Sequence, residues 1–168
     1  MRNLNRFYTL AATLFLSVAA FAQGRLVSTP VVEAIESGKF YMKVSMDLGG
    51  RKATVEMASR AGVTMSRTSM DGMDAVTLAV GGTVYQLDEK KKTWSAGMGM
   101  AQAPGQMTFV RQGSCKVGGK SGWYFDEYTS DGQTITFYYN SDKVAIIDLG
   151  APQMGPAALQ SFSPTIPK

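Results

Sequence analysis

Histidine does not occur in this sequence, and cysteine occurs once. Without imidazole the commonest general base is gone, and with it the Ser-His-Asp and Cys-His arrangements. Most zinc sites go too, so neither a metal nor a cofactor is expected. A single cysteine, Cys115, excludes an intramolecular disulfide framework. It reads as a small half-buried side chain on a strand, with a free thiol or an intermolecular disulfide as the alternative. Beyond residue 22 no apolar run approaches the roughly 18 residues that cross a bilayer, so the chain is not expected to span a membrane. A basic stripe with interleaved aromatics is missing as well. The formal charge is +4, and Lys90-Lys91-Lys92 reads as solvated turn punctuation, so no nucleic-acid partner is implied.

What is present begins with a targeting segment over residues 1–22. Arg2 and Arg6 make a positive start, Leu10 to Phe21 is apolar, and Ala20-Phe21-Ala22 has the small-x-small pattern of a cleavage site before Gln23. No lipobox cysteine follows, so the expectation is an unanchored protein of the periplasm or the exterior. Removing the segment leaves fifteen basic against thirteen acidic side chains. Residues 23–168 are enough for one domain with a core, ending in a proline-rich tail from about residue 150.

A helix is expected between Val27 and Gly38, with Thr29 as cap, Pro30 in the first turn and Gly38 as the left-handed stop. From Phe40 the period changes to two. Phe40, Met42, Val44, Met46 and Leu48 alternate with Tyr41, Lys43, Ser45 and Asp47, and Ala53, Val55 and Met57 continue the pattern on the next strand. Turn pairs at Gly49-Gly50, Ala61-Gly62, Asp71-Gly72, Gly81-Gly82 and Asp131-Gly132 punctuate a meander of about ten strands. Ala96 to Gln106 reads as a loop or lid. The prolines at 152, 156, 164 and 167 exclude a continuous helix or a central strand from the tail, leaving room for one turn at Ala157 to Gln160.

About ten twisted strands must curl, split or close. The fold expected is therefore mainly β: a strongly curved antiparallel meander, a half-open β-barrel, with one short amino-terminal helix. Assigning one apolar inner face gives a lining of Phe40, Met42, Val44, Met46, Val55 and Met57. The same assignment continues it through Met65, Val76, Leu78 and Tyr85. Four of these are methionines, whose unbranched thioethers suit a variable apolar ligand as well as they fill an irregular core. Arg67 points inward in this scheme and reads either as a head-group contact or as a rim residue reaching water.

No catalytic pattern stands in the sequence. Asp126-Glu127 are strand neighbours that face opposite ways and cannot flank one bond; they read as one solvent-facing acid and one rim acid. Asp71-Gly72 and Asp131-Gly132 lack the spaced ligands of a calcium loop. Gly118 to Gly122 precedes no helix and does not match a phosphate cradle.

Val31-Val32-Glu33-Ala34-Ile35 running into Gly38-Lys39-Phe40-Tyr41-Met42-Lys43, the hairpin through Tyr85-Gln86-Leu87-Asp88, and the closing unit Gly122-Trp123-Tyr124-Phe125 to Ile146-Ile147-Asp148 give the chain a resemblance. It resembles the periplasmic lipoprotein-carrier (LolA-like) superfamily, and the likeness covers most of residues 23–168. In that superfamily a half-open barrel under a helical lid takes up acyl chains, and the resemblance implies the same here. This chain departs in offering one short helix and a Gly/Met-rich stretch where longer lid helices are usual. The function expected is a non-enzymatic, exported binding protein for a hydrophobic small molecule or lipid. The alternative is an envelope protein-interaction module with a packed, ligand-free barrel that docks through a strand edge or the Tyr124, Tyr128, Tyr138 and Tyr139 region.

Overall fold

The computed structural model describes residues 26–88, 90–100 (backbone alone at 97–100), 105–150 and 155–166. The targeting segment 1–22 and the cleavage before Gln23 lie outside them. Among the described residues a single helix, α1 (Thr29–Glu36), is followed by eleven strands: β1 (Phe40–Leu48), β2 (Arg51–Arg60), β3 (Val63–Met70), β4 (Met73–Val80), β5 (Thr83–Asp88), β6 (Thr93–Met100), β7 (Thr108–Val117), β8 (Lys120–Ser130), β9 (Gln133–Tyr139), β10 (Val144–Asp148) and β11 (Ala157–Ser163). All belong to one antiparallel sheet in the order β6-β5-β4-β3-β2-β1-β11-β10-β9-β8-β7.

The mainly β, curved meander is as expected; the sheet is open, with β6 and β7 at its two edges. These two strands are consecutive in sequence, and seven residues join Met100 to Thr108. Ten inter-strand gaps of about 4.8 Å would hold the edges of a flat sheet roughly 48 Å apart. Seven linking residues reach about 29 Å at most. The sheet must curl, and the covalent chain alone requires it.

The turns explain the meander. Ala61 and Gly62 (φ 53° and 78°), like Asp71 and Gly72 (φ 52° and 77°), put two successive residues in the left-handed region. That twist matches a two-residue hairpin and fixes Arg60 opposite Val63 and Met70 opposite Met73. Gly118-Gly119 (φ 56° and 77°) is a turn of the same kind between β7 and β8.

Two readings of the sequence change. The tail does hold a central strand, and no helical turn forms at Ala157 to Gln160: β11 is an interior strand, between β1 and β10. Pro156 and Pro164 bracket it without entering it, so each of its residues keeps an N–H for the ladder. The stretch expected as a loop from Ala96 is strand through Met100, pairing with β5; residues 101–104 lie outside the described ones.

The N-cap of α1 is Ser28, one residue before the expected Thr29, and the Ser28 hydroxyl makes no cap bond. Its end is a complete Schellman motif: Lys39 N–H donates to Ala34 O at 3.1 Å, Gly38 N–H donates to Ile35 O at 3.0 Å, and Gly38 has φ 62°. Val31, Val32 and Ala34 are buried against Phe40, Met42, Val44, Tyr128, Phe137 and Ile147, which form the core.

Candidate functional site

Cross-strand pairing decides which expected lining residues meet. Met42 lies opposite Met57, Val44 opposite Val55, and Met46 opposite Ala53. Phe40, Met42, Val44, Met46, Val55 and Met57 therefore share the face that carries α1. Phe40, Met42 and Val44 are buried there, while Met46, Val55 and Met57 are half-buried against them.

The expected lining breaks at the next hairpin. Because Arg60 pairs with Val63, Met57 pairs with Ser66 and Val55 with Thr68. Met65 falls opposite Ala58 instead, and the following pairs run Met65 with Leu78, Arg67 with Val76, and Leu78 with Tyr85. Met65, Arg67, Val76, Leu78 and Tyr85 thus share the face away from the helix. The single apolar lining is corrected to two apolar surfaces on opposite sides of one sheet. A two-residue turn preserves pairing parity, so odd positions of β2 meet even positions of β3. That signal was available in the sequence, and the apolar residues simply change parity across the turn.

Sequence reasoning missed the concavity that the helix creates. Val27, Pro30 and Val31 form one wall of a groove of about 460 Å³, and Val144, Leu159 and Phe162 form the other. Asp142, Lys143, Gln160 and Ser161 complete its rim. The volume is in the range of small-molecule sites, roughly 300–1,000 Å³. Half of this lining comes from β10 and β11, which is why a tail denied a central strand concealed it. A smaller cavity of about 290 Å³ takes in Met46 with Asp47, Lys52 and Ile146.

The groove wall is held by a buried polar knot. Asp126 is completely buried on β8, not solvent-facing. Its carboxyl group accepts from Ser28 N–H at 3.1 Å, Ser28 Oγ at 2.7 Å and Tyr139 Oη at 3.0 Å. With the Ser28 hydrogen used this way, the 2.9 Å contact between Ser28 Oγ and Tyr128 Oη requires the tyrosine to donate. This accounts for the missing helix cap: Ser28 spends its hydroxyl on docking the helix to β8. At the other end of α1, Glu36 Oε1 accepts from Met107 N–H at 2.7 Å. Burial pushes the Tyr139 hydroxyl well above the usual tyrosine range, and its bond to Asp126 adds to the shift.

Glu127 faces the opposite side and is paired with Arg111 through two bonds of 2.9 and 2.8 Å. Those bonds hold its carboxyl below the usual range. Of the tyrosines read as a docking region, Tyr124 and Tyr139 stack at 6.0 Å on the helix-bearing face, Tyr128 is buried, and Tyr138 lies on the other side. Cys115 is a free, half-buried thiol on β7, raised above its ordinary value by burial.

The chain matches no protein-family model and no curated protein sequence.

Proposed function

We propose that this is an exported, non-enzymatic binding protein for a hydrophobic ligand such as a lipid acyl chain, held in the groove between α1 and β10–β11. The observation that carries the reading is the groove itself: six apolar side chains in two facing walls around about 460 Å³, with Lys143 and Asp142 at the rim. Such a lining favours apolar surface leaving water, and a charged rim suits a ligand with a polar end. An open, eleven-stranded curved sheet with one helix across it also supports kinship with the LolA-like lipoprotein carriers. The groove is modest, which favours one chain or a small apolar molecule over a bulky multi-chain cargo. Export to the periplasm or the exterior belongs to the same proposal and rests on residues 1–22.

Native mass spectrometry of the protein purified without detergent, with extraction of co-purifying lipid, tests this. Leu159→Arg places a charge in the groove wall and is expected to lower binding of a fluorescent fatty-acid probe at least tenfold while the fold persists. Equal probe binding by wild type and Leu159→Arg, with nothing extractable from either, would overturn the reading.

The tight packing of the core favours the competing reading of a ligand-free interaction module. Phe137 is fully buried and Val31, Val32 and Met42 nearly so, which leaves the sheet beneath the helix filled. In that case a protein and no lipid co-purifies.

A further inference from the structure

The wing formed by β3–β6 turns its apolar side away from the helix, and no described element lies over it. Val63 is 37% exposed, Met65 48%, Val80 38% and Trp94 43%. The pairing makes one surface of them: Val63 faces Val80, Leu78 joins Met65 to Tyr85, and Leu87 faces Trp94. The helix-bearing side of the same strands carries Thr64, Ser66, Thr68, Thr77 and Gln86 over most of its length, with Val84 opposite Ala79 and the pair Met70 and Met73 at the turn between β3 and β4. Alternation here therefore prepares the uncovered side for an apolar contact.

Charge selects the partner. Arg60 is paired with Val63 at one end of the surface, Arg67 with Val76 within it, and Lys90, Lys91 and Lys92 form the turn that leads into Trp94. The acids nearby are engaged. Glu56 bonds Lys43 at 2.7 Å, Asp74 accepts from Ser69 at 2.6 Å, and Asp88 accepts from the amides of Lys90 and Lys91. Seven basic side chains of this face and turn (Lys43, Lys52, Arg60, Arg67, Lys90, Lys91, Lys92) stand against Asp47, Glu56, Asp74 and Asp88, and the sequence adds Glu89 as a fifth acid. Two copies apposed through this face would bring like-charged borders together, whereas an anionic surface complements them.

We propose that this face docks on an anionic phospholipid bilayer. Trp94, Met65, Val63 and Val80 enter the headgroup region, and the lysines and arginines around them meet the phosphates. Tryptophan is the side chain most suited to that boundary, and apolar residues bordered by lysine and arginine are the composition of interfacial surfaces. The assignment is independent of the groove, which lies on the other face of the sheet.

The test is co-sedimentation of the exported chain with vesicles of phosphatidylglycerol and phosphatidylcholine, against vesicles of phosphatidylcholine alone. Each lysine near an anionic surface changes partitioning about fivefold. Replacing Lys90, Lys91 and Lys92 by serine is therefore expected to weaken binding roughly a hundredfold. Met65→Glu should weaken it at least tenfold, and added salt should weaken binding of the wild type. In a Trp123→Phe background, the emission of Trp94 should shift to the blue on the anionic vesicles alone. Four results overturn the proposal: no binding, equal binding to both vesicle types, full binding by the triple serine variant, or a dimer in solution that shields Trp94. If Met65→Glu does not fold, the turn variant decides, because its three positions are exposed.

Discussion

On β1 and β2 the apolar side chains point toward the helix, and on β3 to β5 most of the large ones, Val63, Met65, Val76, Leu78, Val80, Tyr85 and Leu87, point away from it. The strands are joined by the same kind of two-residue turn and lie in one continuous sheet, so the backbone is not what differs. The difference is in which parity of residue is apolar. On the helix side of β1 and β2 stand Met42, Val44, Val55 and Met57, packed under Val31 and Val32. On the helix side of β3 and β4 stand hydroxyls that bond across strands, Ser59 to Thr64 at 2.9 Å and Ser66 to Thr77 at 2.7 Å. One half of the sheet is a domain core; the other is an extended ribbon with its apolar side presented outward. Alternation reports that a strand has two kinds of face, but it does not report which face is covered.

The sharpest way to break this comparison is to remove the centre of the covered half. Phe137 is fully buried and meets Tyr128 edge-on at 5.6 Å. Phe137→Ala should cost about 3–5 kcal/mol in denaturant unfolding, since the site is walled by strands that cannot collapse into the space. A loss under 1 kcal/mol would mean that the core lies elsewhere.

A paired measurement sharpens the contrast, because the same residue type occurs in both halves. Met42 is 5% exposed and Met65 is 48% exposed. Met42→Ala should cost about 2–5 kcal/mol. Met65→Ala should change stability by no more than about 0.5 kcal/mol. Similar costs for the two would show that both faces are covered in solution, and a concentration-dependent cost at Met65 would identify the cover as a second molecule.

These two methionines also mark how far the sequence could be read. The meander, its turns and the curvature were legible, because turn pairs suited to left-handed backbone recur at the strand spacing and because about ten twisted strands must curl, split or close. The face assignment was correct through Met57 and failed at Met65, where hydrophobicity was followed in place of pairing parity. The tail was misread for a different reason. Its four prolines read as excluding a central strand, yet their spacing leaves Ala157–Ser163 free of proline, long enough for an interior strand. Two of the groove's six apolar residues, Leu159 and Phe162, went with it. Asp126 was not legible at all, since the Ser28 and Tyr139 donors that satisfy it arrive from 98 residues away on one side and 13 on the other.

That knot provides the third prediction, smaller than the core deletions. Asp126→Ala leaves the Ser28 amide and the Tyr139 hydroxyl without their acceptor in a buried place, at a cost of about 1–3 kcal/mol. Hydrogen exchange should locate the damage: the amides of Val31 and Val32, which bond Ser28 O, lose protection while the β3–β4 ladder keeps its own. Uniform loss across the sheet would mean that helix and wing unfold as one unit.

The smallest effect is one of pH, and it separates the halves without altering the core. Tyr128, Tyr138 and Tyr139 all lie on the strands of the covered half, and burial raises each hydroxyl above its ordinary value of 10.0. A raised value means that the folded state keeps a proton that the unfolded chain releases near pH 10. The stabilisation is complete below that pH and is lost as pH climbs through the folded-state values. Unfolding midpoints should therefore hold steady to about pH 10 and then fall. Tyr139→Phe should reduce the fall, because Tyr139 has the largest shift and its proton is the one held by Asp126. At neutral pH the same substitution removes one hydrogen bond and should cost about 1 kcal/mol. If the alkaline fall is as steep in Tyr139→Phe as in wild type, the proton that matters is on Tyr128 or Tyr138, and the hold of Asp126 on the sheet is through Ser28 alone.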